Sequence, residues 1–199
     1  MRGGIYSARV TRRKTCFMNK RLIILSAMIG LAALTRLAPH PPNVTPIAAM
    51  ALFGGVYFRD RKIAFLLPLA AMLLSDLVLG FGVYGIASTK SQPVVYLCML
   101  LTVAIGRSIQ TRRSIPKIAF ATLASSLMFY LVSNFAVWAF DSLYPKTWDG
   151  LIACYAAAIP FFRNSLIGDT FFAAVLFGGF AVLERFWVSL REAREPLTV

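Results

Sequence analysis

Residues 36–55 read RLAPHPPNVTPIAAMALFGG. Arg36, His40 and Asn43 stand here among Pro39, Pro41 and Pro42, with an apolar run on either side. Proline lacks a backbone N–H and fixes φ, so a helix arriving at this point must stop. The chain can restart at once, because Thr45 is a capping residue type and Pro46 suits the first helical position. The stretch therefore reads as a rigid polar knot between two apolar helices. What those helices are embedded in follows from the rest of the chain.

Of the 199 residues, 58% are hydrophobic and only 15% charged. Soluble domains carry about 25% charged residues. The apolar residues also fall into runs approaching the roughly 20 that a bilayer crossing needs. These features predict an all-α integral membrane protein with six transmembrane helices. Read from the knot outwards, the first helix covers Leu22–Leu37 and the second Thr45–Phe58. The third covers Ile63–Leu79 and should bend at Pro68. The fourth runs Val94–Ile109 and the fifth Lys117–Phe140. Leu151–Phe162 is short for a crossing and reads as an interfacial or re-entrant helix. The sixth crossing is Ser165–Val188. The organisation expected is a basic N-terminal tail over 1–21, a membrane domain over 22–188 and a cytoplasmic tail over 189–199. The N-terminal stretch admits two readings, a cytoplasmic tail or an over-long start with Met18 as the initiator.

The net charge of +13 would suit a nucleic-acid binder, but the cations lie in short clusters between apolar runs. Under the helix map, 17 of the 21 Lys and Arg residues fall on one side. They sit in the N-terminal tail, at residues 59–62 and 107–117, and after residue 184. Arg36, Lys90, Arg163 and Lys146 fall on the other. The positive-inside rule then places both termini in the cytoplasm, which agrees with an even number of crossings. The expected location is the bacterial inner membrane, with lipid and not nucleic acid as surroundings.

Polar residues inside the apolar runs are the candidates for function, since charges within a span face protein, a partner or water. At 1.5 Å per residue, Asp76 lies roughly 20 Å from the basic boundary and Asn134 roughly 25 Å, while Asp169 is roughly 7 Å in from the far side. Arg36, His40 and Asn43 belong to that same far level. Asn134, Trp138 and Asp141 share one helix face, and Tyr130 extends it. With Tyr84, these residues outline an outward-facing solute pocket with aromatic walls. The expected substrate-binding set is Arg36, His40, Asn43, Asp76, Tyr84, Asn134, Trp138 and Asp169. Arg36 is the nearest counter-ion in sequence for the two aspartates, and Arg163 the next. Structural readings stand beside these. Each aspartate can be paired with arginine near the headgroups, Asn134 can bind one helix to another, and His40 can face solvent. Ser26 and Gly30 form a small-xxx-small pair suited to close contact with a partner helix.

Enzyme readings have little to rest on. HExxH, GxSxG, Walker A and CxxC motifs are absent, and His40 is the only histidine. Cys16, Cys98 and Cys154 have no metal-ligand spacing. No catalytic residue, metal or cofactor is expected.

The stretches PHPPNVTPIAAMALFGGVYF, LLPLAAMLLSDLVLG and NSLIGDTFFAAVLFGG follow the patterns PPNxTPxxAxALFGG, PLxxMxxSD and NxxxGDxxF. They resemble a family of uncharacterised small bacterial membrane proteins, from about Arg36 to Phe180. That family in turn looks like the substrate-binding S components of energy-coupling factor (ECF) transporters. The resemblance implies a six-helix bundle that binds a vitamin or related small solute from outside. It also implies a partner, a transmembrane coupling subunit with two ATPases. Other functional readings are a non-transport assembly or accessory protein and a self-sufficient secondary transporter.

Overall fold

The computed structural model describes residues 4–80 and 90–191, with side chains from Lys20 onward. The fold is all-α among these residues. The helices are α1 (Gly4–Thr35), α2 (Ile47–Tyr57), α3 (Arg61–Leu79), α4 (Gln92–Ile109), α5 (Ile115–Phe140), α6 (Trp148–Ala173) and α7 (Gly179–Phe186). A π-helical turn, Ala174–Gly178, joins α6 to α7, so Trp148–Phe186 is one continuous 39-residue rod.

Among the described residues, four helical segments are long and apolar enough to cross a membrane: Arg61–Leu79, Gln92–Arg112, Ile115–Phe140 and Trp148–Phe186. They also expose large apolar side chains such as Leu66, Leu74, Phe120 and Ile167. Apolar surface of that extent suits lipid and not water. The description these features support is a multi-pass membrane bundle.

At the centre lies α2. Its residues from Ala49 to Tyr57 are all buried. A helix that is apolar on every side belongs in a core. It spans only about 16 Å at 1.5 Å per residue, half the thickness of a bilayer core. Glycines let its neighbours come close. A Cβ on Gly55 would meet the Val103 carbonyl and Gly106, and one on Gly106 would meet the Leu52 carbonyl. Helices α2 and α4 therefore touch backbone to backbone. Gly54 leaves the notch that receives the ring of Pro68, so the proline of α3 is buried in packing and α3 runs on through it.

Contacts between helix ends orient the bundle. At one end Arg21 donates to the Leu190 carbonyl at 2.6 Å and pairs with Glu184 at 3.4 Å. At that end too, the Phe58 carbonyl accepts from Arg107 and Gln110. Phe53, Tyr57, Phe177 and Phe180 stack just inside it, with ring centroids 4.6–6.0 Å apart. The guanidinium groups of Arg113 and Arg21 lie 5.0 and 5.8 Å from the Tyr57 ring centre. At the opposite end Arg36 meets Asp76, and Ser91 meets Asp141.

Two expectations are corrected here. Leu151–Phe162 is no separate helix, because the backbone stays helical through Pro160, Arg163 and Asn164. The rod is about 58 Å long by rise, roughly twice a bilayer core, so it leans or projects beyond one crossing. Thr45 does not cap α2. The helix begins at Ile47 after Pro46, with no side-chain cap, and Thr147 and Asp60 cap α6 and α3 instead.

Candidate functional site

Arg36 follows the last turn of α1, held by its N–H to the Ala33 carbonyl at 3.2 Å. Its side chain reaches α3, where Nη2 donates to Asp76 Oδ1 at 2.6 Å. Nη1 donates to Ser75 Oγ and, at 3.4 Å, to the Met72 carbonyl. The second oxygen of Asp76 accepts from Tyr96 Oη of α4 at 2.8 Å. The pair is largely enclosed, with the Arg36 side chain 9% exposed and that of Asp76 21%. The Nε–H of Arg36 is buried without a hydrogen-bond partner among the described residues. An ion pair so placed joins α1, α3 and α4, and one charged donor is left over.

The knot itself is fastened to α6. Asn164 Nδ2 donates to the Pro42 carbonyl at 3.1 Å. One turn on, Gly168 gives the backbone of Val44 and Thr45 room to lie against the helix. A Cβ at Gly168 would come within 3.1 Å of Val44 Cα and 3.2 Å of the Thr45 nitrogen. Asn43 takes the left-handed conformation at φ 64°, which suits asparagine better than most residues. His40 is exposed, its Nδ1 3.0 Å from the Pro41 carbonyl. Asp169, next to Gly168, is buried at 6% exposure and accepts from Ser126 Oγ of α5 at 2.6 Å. The three sequence stretches singled out above thus contribute to one end of the bundle: the knot, its seat on α6, and the Ser75–Asp76 pair that holds Arg36.

The expected residues nevertheless separate into distinct groups. Arg36 and Asp76 come together as anticipated. Asp169 has a serine partner and not an arginine. Asn134 donates to the Tyr130 carbonyl of its own helix at 2.8 Å, and its carbonyl accepts from Cys154. Trp138 donates to the Pro145 carbonyl, with Lys146 beside its ring. The face carrying Tyr130, Asn134 and Trp138 is covered by the chain itself. Tyr130 packs on Phe162 and Tyr155 at 4.7 and 5.5 Å, because the long α6 lies along it. Tyr84 lies outside the described residues. Ser26 and Gly30 line an apolar cavity of about 310 Å³ between α1 and α3. Its walls include Ala33, Ala70 and Leu74, and none of the residues expected to bind solute.

Sequence reasoning missed Tyr96, Ser75 and Ser126. Ser75 precedes Asp76 directly, which was a usable signal. A tyrosine or a serine within an apolar run carries no mark that it faces a carboxylate.

Residues 17–190 match a family described as a family of unknown function (DUF6580). The chain belongs to this family. No curated protein and no solved structure matches it.

Proposed function

We propose that the protein is the substrate-binding subunit of a small-solute uptake system, with its capture site at the Arg36 end. The observation that carries this reading is the enclosed Arg36–Asp76–Tyr96 cluster at the same end of the bundle as a proline-stiffened knot. Ionisable groups within a membrane bundle are costly and are kept mostly where they act on a solute, an ion or a partner. A rigid cap limits the ordering cost of binding. The Nε–H of Arg36 is enclosed and has no partner among the described residues, so opening of the cluster would present it to an acceptor on the solute, such as a carboxylate, carbonyl or ring nitrogen. In this reading the protein is not an enzyme. The basic end faces the cytoplasm of a bacterial inner membrane, and a coupling subunit with two ATPases, as in ECF transporters, drives uptake of a vitamin or related metabolite.

A second reading is supported by the apolar cavity between α1 and α3. Its small side chains, Ser26, Gly30, Ala33, Ala70 and Ala71, suit contact within the membrane and not solute recognition. On that account the protein is an assembly or accessory factor and the ion pair is structural. Gentle purification from the native membrane, followed by mass spectrometry of co-purifying proteins and extracted metabolites, separates the two. Transmembrane and ATPase subunits with a stoichiometric small molecule favour uptake. A stable partner of another kind and no small molecule favour the accessory role.

A further inference from the structure

The basic end carries a feature that solute capture does not use. The connection between α2 and α3 and the first turn of α3 hold Arg59, Arg61 and Lys62, all exposed. The connection between α4 and α5 and the first turn of α5 hold Arg112 and Lys117, also exposed. The two connections are tied into one surface, since the Phe58 carbonyl accepts from Arg107 at 3.3 Å and from Gln110 at 2.8 Å. The acid among them, Asp60, is engaged in capping α3 through the Ile63 N–H at 3.1 Å.

Exposed apolar side chains begin one turn from these cations. Leu66 follows Arg61 by five residues and is 60% exposed, and Phe120 follows Lys117 by three and is 73% exposed. A partner that fits must present anionic oxygens directly beside hydrocarbon. Nucleic acid and acidic proteins offer the first without the second. We propose that residues 58–62 and 107–117 form one docking surface for the phosphate-bearing headgroups of anionic phospholipids. The acyl chains then lie along α3 and α5, while the phosphates meet Arg61, Lys62, Arg112 and Lys117. Cations at a membrane surface attract anionic lipid additively and anchor the protein in depth and tilt. The inference rests on the membrane reading alone and holds whatever binds at the Arg36 end.

The test uses the full-length protein in mixed micelles holding equal phosphatidylglycerol and phosphatidylcholine, with bound lipids counted by native mass spectrometry. The wild type should retain phosphatidylglycerol preferentially. Each surface cation contributes about fivefold in affinity, so the triple variant Arg61→Gln/Lys62→Gln/Arg112→Gln should lose roughly a hundredfold. A control at the other end, Lys90→Gln/Arg163→Gln, should keep the wild-type preference. Equal retention of both lipids by the wild type would overturn the proposal, and that comparison needs no variant to fold. Equal loss in the control would overturn it too. So would full displacement of the lipid by millimolar inorganic phosphate, which would mark a site for a free anion.

Discussion

Replacing Asp76 by asparagine should destabilise the protein more than removing both members of its ion pair. The Arg36 side chain is 9% exposed and its short contacts are to Asp76 and Ser75. Removing one partner of a buried pair costs about 3–5 kcal/mol, because the remaining charge keeps its desolvation penalty. Here the lower end applies. Asp76 is 21% exposed, Ser75 and the Met72 carbonyl still face the guanidinium, and an asparagine can still bond Tyr96. About 3 kcal/mol in a chain of this size corresponds to a fall of roughly 6–12 °C in Tm. In Arg36→Met/Asp76→Leu no charge is left behind, and Tyr96 loses one hydrogen bond. Such bonds average about 0.6 kcal/mol inside membranes, so the double variant should lie within about 4 °C of wild type. Thermal unfolding of detergent-solubilised protein, followed by tryptophan fluorescence, measures both. If Asp76→Asn melts within 2 °C of wild type, or the double variant melts below Asp76→Asn, the pair is not an enclosed junction.

Gly55→Leu should abolish the monodisperse protein peak in size-exclusion chromatography, because its side chain would collide with the backbone of α4. Gly30→Ala is the matched control. A Cβ there meets nothing within 4 Å, so Tm should stay within about 2 °C. Gly168→Ala should cost about 1 kcal/mol by pushing the knot a few tenths of an ångström from α6, and the larger Gly168→Leu should release it, so that a cysteine placed at Asn43 reacts faster with a water-soluble maleimide. Ser126→Ala should cost about 1–3 kcal/mol by leaving the buried Asp169 carboxyl without its partner, and Asp169→Leu/Ser126→Ala should recover part of that loss in the same thermal assay.

Much of the helix map is readable from run length and polar punctuation. The readings Ile63–Leu79, Val94–Ile109 and Lys117–Phe140 lie within two residues of α3, α4 and α5 at each end. Those runs are bounded by charged or glycine-rich connections that no apolar core accepts. The long rod of α6 and α7 was not readable. Arg163 and Asn164 look like a break between two runs, but Arg163 is exposed and Asn164 bonds the Pro42 carbonyl, so neither interrupts the backbone. The burial of α2 was equally hidden, since an 11-residue apolar helix looks like a truncated crossing until five neighbours close around it. In the site, the Arg36–Asp76 pairing followed from the cost of two charges in apolar runs. Asp169 failed the same reasoning because a single hydroxyl sufficed as partner. The face of Tyr130, Asn134 and Trp138 was correctly seen as one face, but periodicity says nothing about what covers it.

Solute capture at the Arg36 end is tested most directly by equilibrium binding. Purified wild type and Arg36→Ala would be screened side by side by thermal shift against vitamins, nucleobases and other small metabolites, with hits titrated to saturation. A solute should stabilise the wild type and lose at least tenfold in affinity in Arg36→Ala, while the variant remains folded. A solute that binds both proteins equally, or a complete screen that stabilises neither, would contradict solute capture at that end.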